Sequence, residues 1–125
     1  MNFPTDLYYT ADHEWVRMDG DIATIGVTHY AQGELGDIVF VEVETEGETL
    51  EAEEVFGTIE AVKTVSDLIL PITGEIIEMN EGLDDDPSLI NNDPFGAGWI
   101  IKVRVSNPSD VEGLMDATAY EASIA

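Results

Sequence analysis

Cysteine is absent from the 125-residue chain, which removes disulfides, thiolate metal sites, iron–sulfur clusters and cysteine nucleophiles together. That absence suits a reducing compartment. Positive charge is scarce as well: four Lys and Arg stand against 27 Asp and Glu, a formal charge of −23 at pH 7. Such a chain repels phosphate backbones and anionic headgroups, so neither nucleic acid nor a membrane surface is expected as a partner. Long hydrophobic runs are missing too. The longest, Leu68 to Ile72, contains a proline and falls far short of the roughly 20 residues that span a bilayer. Met1 to Thr10 has no basic residue and no apolar stretch, so no targeting leader is expected and the chain is assigned to the cytoplasm.

Catalytic signatures are missing in the same way. His13-Glu14 begins like a zinc-protease HExxH, but position 17 is Arg, so the second ligand is lacking. Asp84-Asp85-Asp86 has neither the ligand alternation nor the glycine of a calcium loop and reads as a solvated acidic turn. No P-loop, GxSxG or dinucleotide fingerprint occurs, and Pro108 disqualifies Asn107-Pro-Ser as a glycosylation acceptor.

What is present is a packed domain. Hydrophobic residues make up 44% of the chain, more than a disordered acidic segment carries, and the length suits a single domain spanning 1–125. The dominant period is two. Val39, Val41 and Val43 alternate with Phe40, Glu42 and Glu44, and Trp99, Ile101, Val103 and Val105 alternate with Ile100, Lys102 and Arg104; each pattern predicts a half-buried strand, the second one late in the sheet order. Further strands are expected at 14–18, 22–26, 55–61, 65–70 and 75–79, separated by Gly, Pro, Asn and Asp. Many short strands imply a sandwich or barrel.

Helix is sparse. Thr28 can cap two turns over HYAQGEL that Gly36 stops, and this helix should cross one end of the sheet. Asn107 or Ser106 can cap a turn that begins at Pro108, and Asp116 a final helix through Tyr120 to Ile124. Both tryptophans are expected in the core or half-buried against the sheet. A weak repeat relates 36–47 to 74–82, each a strand followed by a charged turn. Pairing of these halves about a quasi-twofold axis would push the intervening hairpin, with its tip at 61–64, out to one edge.

Only two lysines occur, Lys63 and Lys102. Lys102 sits in a strand pattern beside Arg104, where an edge or ion-pair role is ordinary. Lys63 falls instead at the predicted hairpin tip, where an enzyme could reach and modify it. Around it the sequence reads GTIEAVKTVSDLILPITG from 57 to 74, with Glu60 three residues before the lysine and glycines at offsets of −6 and +11.

This segment resembles the lipoyl-lysine segment of glycine cleavage system H proteins and, more distantly, other lipoyl and biotinyl carriers. The resemblance extends over nearly the whole chain, through YTADHEWV at 9–16, ATIGVTHYAQGELGDIVFVEV at 23–43, NNDPFGAGWIIKV at 91–103 and LMDATAYEA at 114–122. It implies a mainly β, barrel-sandwich hybrid fold of two antiparallel sheets, with a short helix after the early strands and short C-terminal helices. It further implies that Lys63 carries lipoate as a side-chain amide and that Glu60 helps the lipoate-attaching enzyme recognise the site. In the family the arm takes an aminomethyl group from the glycine decarboxylase, or P protein, and yields it to the aminomethyltransferase, or T protein. Dihydrolipoyl dehydrogenase, the L protein, then reoxidises it. The chain would be a carrier rather than an enzyme, and a monomer.

The cargo's amine would be protonated near neutral pH, so a cleft that offers carboxylates could shelter it. Glu14 and Asp67, in the family's HEW and SD segments, are the candidates together with His13. Each has an ordinary alternative: most of 27 acids must be solvated surface, and a strand histidine commonly satisfies a structural hydrogen bond. Three other functions compete. A biotin carrier is disfavoured because Val62 and Thr64, rather than methionines, flank Lys63; an H-like protein that relays lipoyl groups to other enzymes would look the same; an acidic binding module would leave Lys63 bare. Depletion of lysine with acids dispersed along the chain also predicts a protein adapted to multimolar salt, the alternative being a surface that docks basic partners.

Overall fold

A computed structural model describes residues 3–124; Met1, Asn2 and Ala125 of the expected 1–125 domain lie outside the described residues. Among the described residues nine strands form two antiparallel sheets. The larger has the order β1-β2-β3-β9-β8-β5, from Tyr8–Tyr9, Glu14–Asp19, Ile22–Val27, Ile101–Val105, Gly74–Met79 and Thr49–Leu50; the smaller has the order β4-β6-β7, from Ile38–Glu42, Val55–Ala61 and Val65–Ile69. Helices α1 (His29–Leu35), α2 (Gly82–Asp85), α3 (Leu89–Asn92) and α4 (Ala117–Ser123), and a 3-10 turn over Pro108–Gly113, complete the chain. Among the described residues no helix is long and apolar enough to cross a membrane.

The core lies between the sheets. Val16, Ile25, Ile76, Ile101 and Val103 from the larger sheet meet Val41, Ile59 and Leu68 from the smaller, and their burial is what period-two patterning dictates. A second cluster, Phe3, Leu7, Tyr9, Trp15, Ala117 and Tyr120, brings the start of the chain against α4. Tyr9 and Tyr120 stack at 4.9 Å, and Tyr9 exchanges backbone hydrogen bonds with Met115. Trp15 is fully buried and Trp99 half-buried, as expected of both.

Several expectations need correction. The strand at 101–105 does not stand late in the sheet; it is an interior strand between β3 and β8, because its buried face needs a neighbour on each side. Ile100, expected on the outer face with Lys102, is fully buried; it precedes the regular strand and its amide donates to Ile25. Val39 is 48% exposed, since a bulge between Ile38 and Phe40 breaks the alternation. The two repeat segments place β4 and β8 in different sheets, so they do not pair with each other. Lys102 forms no ion pair among the described residues; its ammonium lies 5.1 Å from the Trp99 ring centroid, a cation–π contact. Arg104 does pair, with Glu75 at 3.2 Å.

The caps behave as read. Thr28 accepts from the Ala31 amide and starts α1, and Gly36 ends it at φ 83°, a conformation that costs glycine little. Asp116 accepts from the Ala119 amide at the start of α4, and Asn107 caps the 3-10 turn at Pro108.

Candidate functional site

Strands β6 and β7 form a hairpin in register Thr58↔Asp67, Ile59↔Ser66 and Glu60↔Val65. Its turn, Val62 to Thr64, is closed by the Ala61 amide donating to the Thr64 carbonyl at 2.8 Å. Lys63 is at the tip and exposed, beside Val62 at 72% exposure. The tip is also moored from outside: the Val62 amide donates to the Asp37 carbonyl at 3.0 Å. The lysine stem passes over Gly36, where an added Cβ would lie 3.2 Å from Lys63 Cε. Glu60 is exposed one residue before the end of β6, on the outer face, where Phe40 and Val65 flank it across the strands.

The glycines at offsets −6 and +11 have packing reasons. A Cβ on Gly57 would collide with the Glu42 carbonyl of β4, and one on Gly74 with the Arg104 carbonyl of β9. Each lets two strands approach.

Beside the hairpin is a cleft of about 300 Å³ whose walls include His13, Glu14, Ala31, Glu34, Ile59 and Asp67. The second hairpin strand contributes Ser66 to Ile69, so the wall begins three residues after Lys63. Glu14, first in β2, is buried at 3% exposure. Its Oε2 accepts from the Ile69 amide at 3.1 Å, while Oε1 is buried without a partner among the described residues. Burial pushes this carboxyl well above its ordinary range and the nearby Asp12 adds to the rise, against the pull of the Ile69 hydrogen bond. An orphaned acceptor of this kind is costly. It fits a cationic or hydrogen-bond-donating guest.

His13 adopts φ 65° in the turn before β2. Its Nδ1 is 2.9 Å from the Tyr120 hydroxyl, and its ring packs 4.8 Å from that of Tyr30. Tyr120 also meets the Thr28 hydroxyl at 2.8 Å, which joins α4 to the start of α1. His13 therefore lies in a turn and not on the strand expected for it, yet it makes a structural hydrogen bond and still borders the cleft. Asp67 is exposed at the rim. The fold therefore gathers His13, Glu14 and Asp67 into one cleft and sets Lys63 and Glu60 at the end of the hairpin that walls it. Glu34, Leu35 and Ser66, also in the lining, carried no signal of their own, because nothing local says which face of a two-turn helix meets a distant hairpin.

Arg17, where a metal site would need histidine, donates to the Phe95 carbonyl at 2.8 Å and lies 4.9 Å from the Trp15 ring centroid. Among the described residues no group of three or more His, Cys, Asp or Glu is placed to hold a metal ion.

Comparison with known proteins agrees with this architecture. The family model for glycine cleavage H-protein matches residues 7–125. The glycine cleavage system H protein of Bacteroides thetaiotaomicron is 59% identical over 124 residues, and that of Bacteroides fragilis 56%; in both cases 99% of this chain and 98% of the relative are covered. The crystal structure of a glycine cleavage system H protein from Mycobacterium marinum superposes with a TM-score of 0.88 at 42% identity, covering 97% of this chain and 98% of that one. Two antiparallel sheets, an exposed lysine at a hairpin tip and full-length similarity of this degree lead to one statement: the chain belongs to the glycine cleavage H-protein family.

Proposed function

We propose that this chain, like its family a carrier component of the glycine cleavage system, holds lipoate on Lys63 and acts as a shuttle rather than as an enzyme. When attached, the lipoyl dithiolane supplies reversible disulfide chemistry and a bond to the aminomethyl cargo. The chain supplies everything else. Lys63, exposed on a moored tip, gives the arm an accessible root from which to visit the P, T and L proteins, and tethering raises the effective concentration at each of them. Glu60, exposed on the outer face of β6, is a handle for the lipoate-attaching enzyme.

Between visits the cleft shelters the cargo. Glu14 offers Oε1, which has no partner among the described residues, to the cargo's ammonium, and a cation brought to that atom would favour the ionised carboxylate. Asp67 at the rim adds negative potential, and His13 is held at the border by Tyr120. The observation that carries this reading is the pairing of an exposed tip lysine with an adjacent cleft that contains an unsatisfied buried carboxylate. The whole chain acts as one carrier domain and as a monomer in the cytoplasm, and its dispersed acidity is an adaptation to high salt.

The test is glycine–bicarbonate exchange with P protein, using lipoylated wild type and Lys63→Arg. Wild type should sustain exchange and the variant should not. Exchange at the wild-type rate by Lys63→Arg would remove Lys63 from the mechanism, and biotin on wild-type Lys63 would replace the reading by the biotin-carrier one.

A further inference from the structure

The hairpin that roots the arm forms one wall of the cleft, but the opposite walls, His13–Glu14 and Ala31, Glu34 and Leu35 of α1, belong to other elements, and sheltering requires the root to hold a fixed relation to them. Lys63 is on the β6–β7 tip, which is closed by a single internal hydrogen bond and moored by Val62 to Asp37. The segment that receives this mooring, 36–37, is an interruption between α1 and β4. A glycine in the left-handed region opens it, and it has no ladder of its own before Ile38 pairs with Ala61. Left to itself, such a connection would swing.

Asn91 on α3 holds it. The Asn91 carboxamide donates to the Gly36 carbonyl at 2.8 Å and to the Gln32 side chain at 3.0 Å, and its Oδ1 accepts from the Ile38 amide at 2.9 Å. Three of the four bonds an Asn side chain can make thus go to one short stretch, on both sides of Asp37. Asn91 is itself anchored. Three residues on, the Pro94 carbonyl accepts from the buried Trp15 indole at 2.8 Å, and Trp15 follows Glu14 in β2. A continuous path therefore runs from the cleft carboxylate through Trp15, Pro94 and Asn91 to Asp37 and the residue before Lys63.

We propose that Asn91 is a positioning residue for the arm: by tying the end of α1 to the start of β4 it holds the Lys63 tip in register with the cleft. This rests on the reading that Lys63 carries the arm. Asn91 touches neither arm nor cargo and acts through Asp37 and Val62. Its loss frees the tip to pivot away from the Glu34–Leu35 wall at the end of α1, so cargo spends more time in water.

Two variants test this. Asn91→Ala removes all three bonds; Asn91→Asp keeps the shape and the acceptor for Ile38 but loses both donors, and serves where the alanine variant does not fold. The decisive readout is amide hydrogen exchange in the unmodified protein. The Val62 amide, which never touches residue 91, should exchange roughly fivefold faster or more, the scale of about one net hydrogen bond, while Ile25 and Val103 in the core keep their protection. Unchanged exchange at Val62, or acceleration equal to that in the core, overturns the proposal. In the second readout, loaded lipoyl protein should lose its aminomethyl group faster in the variant, and equal loss overturns the proposal. A bare Lys63 in native wild type would defeat the carrier reading instead, and the exchange result would still decide whether Asn91 governs the tip.

Discussion

At the scale of single residues, Glu14 provides the sharpest test. In the folded chain its carboxyl keeps a proton to higher pH than in the unfolded chain, because burial disfavours the charge. Between the two titrations the folded state binds more protons, so stability falls as pH rises. It is fully present below the ordinary glutamate value of about 4.5 and is lost upward from there. Glu14→Gln cannot ionise. At pH 7.5 thermal melts should show it more stable than wild type by about 1–3 kcal/mol, the usual range for a poorly satisfied buried polar group, and near pH 4 the two should converge. A gap that widens toward acid would refute the buried-carboxylate account. The same variant should speed spontaneous loss of the aminomethyl group from loaded protein, and an unchanged rate would separate Glu14 from sheltering. Lys63 was legible in the sequence because a lysine is conspicuous in a chain with two of them. Glu14 was only one acid among 27, since its burial depends on the strand of Ile69, 55 residues away, arriving from elsewhere in the fold. Tyr120 and Asn91, which act through partners 107 and 53 residues away, gave no local signal.

At the scale of elements, the caps and the close strand contacts can be tested separately. Thr28→Ala removes the hydroxyl that caps α1 and meets Tyr120; a loss of about 1–2 kcal/mol is expected by denaturant melt, largely restored in Thr28→Ser. Failure of serine to restore it would mean that the methyl group, and not the hydroxyl, matters. Gly26→Ala places a Cβ 2.7–2.8 Å from the Trp15 indole, which must shift and strain its bond to Pro94. Overpacking of this kind costs about 1–3 kcal/mol, and altered Trp15 fluorescence should accompany it. Long alternating strands and well-capped helices could be read directly, because period two and an oxygen three residues before an amide are local rules. The two-residue strands β1 and β5 and the four-residue helices α2 and α3 could not, as they exist only where neighbours complete them. The bulge that exposes Val39 and the interior position of Ile101–Val105 likewise depend on which strands come alongside.

At the scale of the whole molecule, charge dominates. Among the described residues the one ion pair is the exposed Arg104–Glu75 contact, so 27 carboxylates are left mainly to repel one another. Potassium chloride screens that repulsion, the Debye length shrinking to ~3 Å at 1 M. The melting temperature should therefore rise from low to molar salt, and a flat profile would reject adaptation to high salt. The account as a whole stands on what Lys63 carries. The most direct measurement is the intact mass of the protein purified from its native cells, followed by peptide mapping across residues 57–74. The account predicts a single lipoyl increment located on Lys63, and a bare or biotinylated Lys63 in cells that are catabolising glycine would contradict it.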